Sequence, residues 1–122
     1  MIARAAAAAL VATGVAAIAA IPATAGKSKP PVKKTAQLGD YFITPAKMSV
    51  PKGSTVVWKW PTTAGDSHDV KLTKTRPKGV KRWQSQIAVS DYKYKKKLKV
   101  KGKYVVICSL HPNTMRQTIR VR

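Results

Sequence analysis

The 122-residue chain contains no glutamate, and its four aspartates (Asp40, Asp66, Asp69 and Asp91) stand against 24 lysines and arginines. Acid–base chemistry built on glutamates is therefore excluded. One cysteine is present, so no internal disulfide can staple the fold, and a small core must hold unaided or with help such as a bound metal. There is no glycine-rich phosphate loop, no internal repeat and, beyond the first 25 residues, no helical periodicity.

The formal net charge of +20 must shape what the protein meets. In an intracellular chain it would point first to phosphate backbones, where lysines release condensed counterions. The N-terminus argues against that. Met1-Ile2-Ala3-Arg4 is followed by an uncharged, apolar stretch from Ala5 to Ile21 and then by Ala23-Thr24-Ala25, which is the pattern of an export signal over residues 1–25. Alanine and glycine dominate the stretch, so it is short and weakly apolar for a membrane span, and no cysteine follows it to carry a lipid. The expectation is a secreted, periplasmic or cell-envelope protein with no nucleic-acid partner and no membrane span after cleavage. Lys93, Lys95, Lys97, Lys99, Lys101 and Lys103 alternate as one solvated sheet face would; a role in solubility and edge protection is the plain alternative to partner binding.

Residues 26–34 (GKSKPPVKK) are basic and proline-rich with nothing to pack, and read as a flexible lead-in. The folded domain then spans 35–122. Short alternating or apolar runs at 35–43, 47–50, 54–60, 68–73, 86–89, 94–100, 103–108 and 116–121 read as strands, broken by Pro45, Pro51-Lys52-Gly53, the 61–65 loop and Lys101-Gly102. Val56, Trp58 and Trp60 share one strand face, Val57 and Lys59 the other. Tyr104 through Ile107 is continuously apolar, as in a central strand buried on both faces. Met48 reads as core.

Cys108 ends that strand and opens Cys108-Ser109-Leu110-His111-Pro112-Asn113-Thr114-Met115. A soft thiolate, an imidazole and a thioether thus fall within eight residues, and His68 stands far upstream at the head of Asp69-Val70-Lys71-Leu72. A lone buried cysteine is ordinarily an inert small hydrophobe, and a lone loop histidine a surface residue. Together the four form the donor set of a copper electron-transfer site: two imidazoles and a thiolate in a trigonal array with a weak methionine. Two histidines and a thiolate would also suit zinc. Both histidines are then engaged, and no hydrolytic triad can be assembled.

These residues resemble the plastocyanin/amicyanin-like cupredoxins, small secreted β-sandwiches carrying one electron on a type 1 copper ion. The resemblance runs over nearly all of the domain. It includes Val50-Pro51-Lys52-Gly53-Ser54-Thr55-Val56-Val57-Trp58, the late His68, the Lys101-Gly102-Lys103-Tyr104 turn and, most specifically, the Cys-x-x-His-Pro loop. It implies an all-β, Greek-key sandwich of about seven to eight strands. It also implies equatorial copper ligation by His68, Cys108 and His111, with Met115 as the weak axial ligand. Three positions depart from the pattern. Asp69 replaces the asparagine that commonly ties the two ligand loops together; the Cys108-to-Met115 loop is intermediate in length; and Trp60-Pro61 replaces a strand-end asparagine.

The function implied is one-electron transfer, copper cycling between Cu(I) and Cu(II), in a monomer that is not an enzyme. The alternatives are an envelope copper carrier or buffer without a redox partner, and a cationic protein binding anionic polymer. The expected partner is an acidic redox protein or an anionic envelope surface, steered by lysines around the ligand pole and docked through Leu110 and Pro112 beside His111.

Overall fold

The computed structural model describes residues 29–122. The expected export signal (1–25) and residues 26–28 of the lead-in lie outside them. Among the described residues every named element is a strand: β1 (Lys33–Gly39), β2 (Phe42–Thr44), β3 (Lys47–Val50), β4 (Ser54–Lys59), β5 (Lys71–Leu72), β6 (Lys93–Leu98), β7 (Gly102–Ile107) and β8 (Arg116–Val121). They form two four-stranded sheets, β2-β1-β4-β6 and β3-β8-β7-β5. β1 runs parallel to β4 and β3 parallel to β8, so the chain crosses repeatedly from one sheet to the other, giving the expected Greek-key sandwich.

Strand alternation builds the core. Val56 and Trp58 are fully buried on the inner face of β4, while on the other face Val57 is covered and Lys59 reaches solvent. Trp58 meets Trp83 at 5.2 Å between ring centroids. Its indole N–H donates to Gln117 Oε1 at 2.8 Å, and Gln117 Nε2 in turn donates to the Pro45 carbonyl at 2.9 Å. The one buried amide that spans the sandwich is therefore paired at both ends, as a low-dielectric interior requires. In β7, Tyr104, Val105 and Val106 are all buried, as the continuous apolar run implies. Met48 is only partly buried at the margin of the core.

Turn chemistry fixes two corners. Gly53, at φ 89°, follows Pro51 and passes the chain into β4. At Gly102 (φ 137°) an added Cβ would lie 2.9 Å from the Pro77 ring, so glycine is needed both for the conformation and for the close approach.

The run read as a strand over 68–73 is one only at Lys71–Leu72, and three further expectations change. The run read as one strand over 35–43 is two, paired as a hairpin through Gln37↔Thr44, Leu38↔Ile43 and Gly39↔Phe42, because the chain turns at Asp40-Tyr41. β1 begins at Lys33, inside the segment read as flexible: Thr55 N–H donates to Val32 O at 2.9 Å and Val32 N–H to Ser54 Oγ at 3.0 Å. A parallel partner strand ordered these residues, a long-range effect invisible in local composition. Residues 86–89 form no strand, only an isolated bridge from Ala88 to His68.

Candidate metal centre

Cys108 leaves the end of β7, and the loop after it closes on itself. The Cys108 amide donates to Met115 O (3.0 Å), the Met115 amide to His111 O (3.0 Å) and the His111 amide to Cys108 O (3.2 Å). This turn brings the two ends of the eight-residue segment together before β8 departs. Cys108 and Met115 are both fully buried, while His111 is partly exposed.

His68 arrives from the other side. Its backbone exchanges two hydrogen bonds with Ala88, each at 3.0 Å. The Trp60 indole N–H straddles the pair, donating to His68 O at 3.1 Å and Ala88 O at 3.0 Å. The Trp60-Pro61 departure thus supplies a clamp: the strand-end tryptophan fixes the backbone of the upstream histidine.

The donors converge. His68 Nδ1 lies 4.0 Å and His111 Nδ1 3.7 Å from Cys108 Sγ, and the three donor atoms all lie within 4.8 Å of one another. These sulfur–nitrogen distances are long for hydrogen bonds. They suit one shared ion: donors bonded to a transition metal at about 2.0–2.3 Å in a trigonal array sit roughly 3.5–4 Å apart. The chemistry of the set, one thiolate and two imidazoles with a buried thioether on the same loop, fits copper.

Asp69 keeps the tie between the ligand loops. Fully buried, it accepts at Oδ1 from the Ser109 amide (2.7 Å), and at Oδ2 from the Ser109 hydroxyl (2.6 Å) and Gln84 Nε2 (2.9 Å). Burial pushes its carboxyl upward, but these donors outweigh burial and hold it below the usual aspartate range.

Two more carboxylates, which sequence reasoning passed over, stand at the same pole. Asp40 Oδ1 lies 2.6 Å from His68 Nε2, and Asp66 Oδ2 lies 3.4 Å from His111 Nε2. The bond to His68 holds Asp40 low, with help from the Asp66 amide. The Ser67 amide, then the Tyr41 hydroxyl, hold Asp66 low. The Tyr41 ring lies edge-on to His111 at 4.8 Å. Three of the chain's four carboxylates therefore contact ligand residues or their loop. Scarcity was the available signal, since an acid kept in so basic a chain invites the question of what it holds.

Besides Cys108 and His68, the His111 ring meets Asp66 and Tyr41, and Arg116, the first residue of β8, donates to Pro112 O at 3.4 Å. Leu110 remains 46% exposed beside it. On the outer face of the first sheet, Lys59 pairs with Lys93, Val57 with Lys95 and Thr55 with both Lys97 and Lys33, with no carboxylate among these positions.

The model for copper binding proteins of the plastocyanin/azurin family matches residues 31–122. No curated protein matches the sequence. Among solved structures, a pseudoazurin from Sinorhizobium is similar at 21% identity and a TM-score of 0.62, over 75% of this chain and 74% of that one. An amicyanin from Paracoccus versutus is similar at 21% identity and a TM-score of 0.59, over 72% and 79%. A copper-containing nitrite reductase from Thermus scotoductus SA-01 is similar at 25% identity and a TM-score of 0.60, with 92% of this chain covering 25% of that much longer one.

Proposed function

Because the chain belongs to the plastocyanin/azurin family of copper-binding proteins, we propose that it is an exported one-electron carrier. Its copper would be held by His68 Nδ1, Cys108 Sγ and His111 Nδ1, and more weakly by the Met115 thioether. The observation that carries this reading is the convergence of the three donors to within 4.8 Å from segments 40 residues apart in sequence. When bound, copper supplies a Cu(II)/Cu(I) couple.

The chain's own residues make that couple usable. Cys108 supplies a thiolate, a soft anionic donor. The Trp60 indole and the Ala88 bridge fix His68, and Asp69 fixes Ser109 beside the cysteine, so both ligand loops are held by hydrogen bonds to the β-sandwich. A scaffold that moves little between the two charge states keeps the reorganisation accompanying electron transfer small. Buried Met115 and Cys108 keep water from the inner side, while partly exposed His111 and Leu110 offer the short route to a partner's surface.

The partner we propose is an acidic redox protein or an anionic envelope surface. Support comes from the formal net charge of +20, which raises encounter rates with negative surfaces. Export rests on the sequence of residues 1–25; among the described residues no helix is long and apolar enough to cross a membrane.

Adding Cu(II) to the purified protein should produce an intense visible thiolate-to-copper band. Cys108→Ser should lose it, because a hydroxyl is too hard and too weakly acidic to replace the thiolate. A band that survives Cys108→Ser would refute the ligand assignment. Stopped-flow electron exchange with an acidic and a basic redox protein then separates a carrier of electrons from a carrier of copper. The rate with the acidic protein should fall steeply with added salt, as screening shortens the field to about 8 Å at physiological ionic strength.

A further inference from the structure

The outer nitrogens of the two imidazoles, which face away from the metal position, are both met by carboxylates that come from separate segments. Asp40 sits at the β1–β2 turn and Asp66 in the loop before His68. They also hold each other: the Asp66 amide donates to Asp40 Oδ1 at 3.1 Å and Oδ2 at 3.4 Å. The Ser67 amide donates to Asp66 Oδ1 at 2.7 Å and the Tyr41 hydroxyl to Asp66 Oδ2 at 3.1 Å. Gly65 permits the approach, since a Cβ there would lie 2.8 Å from Asp40 Oδ2. The two side chains are thus aimed by at least two hydrogen bonds each, although both are substantially exposed.

We infer that Asp40 and Asp66 are positioning residues that clasp His68 and His111 by Nε2, orienting Nδ1 of each ring toward copper and favouring the Cu(II) state. This rests on the ligand set proposed above. Asp40, accepting from His68 Nε2–H at 2.6 Å, leaves that ring's lone pair on Nδ1, while Asp66 acts on His111 Nε2 as a nearby charge at 3.4 Å; Nδ1 is the nitrogen that faces Cys108 Sγ in both rings. The same anion makes the imidazole a stronger donor and places negative charge near the ion, which stabilises the more highly charged oxidation state. Asp40 should act more strongly than Asp66, since its contact is 2.6 Å against 3.4 Å. The clasp also explains why acids persist here: in a chain of charge +20 they offset the field that would otherwise repel a copper ion.

The test is a pair of charge-removing, size-conserving variants, Asp40→Asn and Asp66→Asn, beside Asp91→Asn, which alters a carboxylate that pairs with neither histidine. Cu(II) affinity by competition with a chelator, reduction potential by redox titration and the visible band are read on each. Asp40→Asn should weaken Cu(II) binding about 10–100-fold, the usual cost of losing an outer partner of a ligand histidine, and raise the potential. Asp66→Asn should shift both in the same direction by less, and Asp91→Asn should match the wild type. Tyr41→Phe, which frees Asp66 without removing its charge, should fall between Asp66→Asn and wild type and serves if Asp40→Asn folds poorly. Wild-type affinity and potential in Asp40→Asn and Asp66→Asn, with the wild-type band present, would overturn the clasp while leaving the ligand set standing. Absence of the band in the wild type would overturn both.

Discussion

The ligand pole and the outer face of the β2-β1-β4-β6 sheet are opposites in charge and in how that charge is held. At the pole Asp40, Asp66 and Asp69 each have named donors, and Asp69 is fully buried with three. On the sheet Lys33, Lys93, Lys95 and Lys97 are exposed. Scarce charge in this chain is structural and abundant charge is solvated. The difference bears on energy, because hydrogen bonds to a buried charge contribute about 1.5–3 kcal/mol each, whereas exposed charges contribute little. It bears also on function: the pole is organised for a metal, while the lysine face is the part we propose to act at long range.

Asp69→Ala should therefore be the most damaging change at the pole, removing the acceptor of the Ser109 amide and hydroxyl and of Gln84. A loss of about 3 kcal/mol is expected in urea unfolding, together with looser copper. A loss below 0.5 kcal/mol would mean the two ligand loops are held by something else. Trp60→Phe keeps the ring but deletes the N–H shared by His68 and Ala88. It should cost about 1–2 kcal/mol and weaken copper binding more than its stability loss alone implies, as the ratio of the two measurements will show.

Tyr104 tests the core away from both regions. Burial raises its hydroxyl above the usual tyrosine range, and the hydroxyl donates to Val100 O at 2.7 Å. The neutral form is favoured in the folded state, so its contribution is complete below about pH 10 and is lost as pH rises through the folded value. Thermal unfolding from pH 8 to 11 should show a fall that is shallower in Tyr104→Phe; parallel curves would remove Tyr104 from the account.

The smallest effect on stability should come from the lysine face. Lys93, Lys95 and Lys97 changed together to glutamine should shift unfolding by no more than about 0.5 kcal/mol per site, leave the visible band unaltered, and flatten the salt dependence of electron exchange with an acidic protein. An altered band would mean the two regions are not independent.

Much of this architecture was legible in sequence. The alternation of Val56 and Trp58 and the apolar Tyr104–Ile107 run reported burial directly, because strand period and burial are the same pattern read twice. The Cys108–Met115 segment disclosed three donors through local spacing, and His68 followed as the remaining histidine. What stayed hidden depended on distant partners. Lys33 and Lys34 look like a tail until β4 pairs with them, residues 86–89 look like a strand until only Ala88 bridges, and the hairpin at Asp40-Tyr41 has its glycine, Gly39, before the two turn residues and not within them. Asp40 lies 28 residues from the histidine it meets, and Asp66, though two residues before His68, meets His111 instead.

The central claim is that one thiolate, two imidazoles and a weak thioether hold a single copper ion at this pole. X-ray absorption at the copper edge on the stoichiometrically loaded protein tests it most directly. The account requires a first coordination sphere of one short sulfur and two imidazole nitrogens, with the sulfur lost in Cys108→Ser and one imidazole lost in His68→Ala. A sphere of nitrogen and oxygen alone, unchanged by Cys108→Ser, would contradict it.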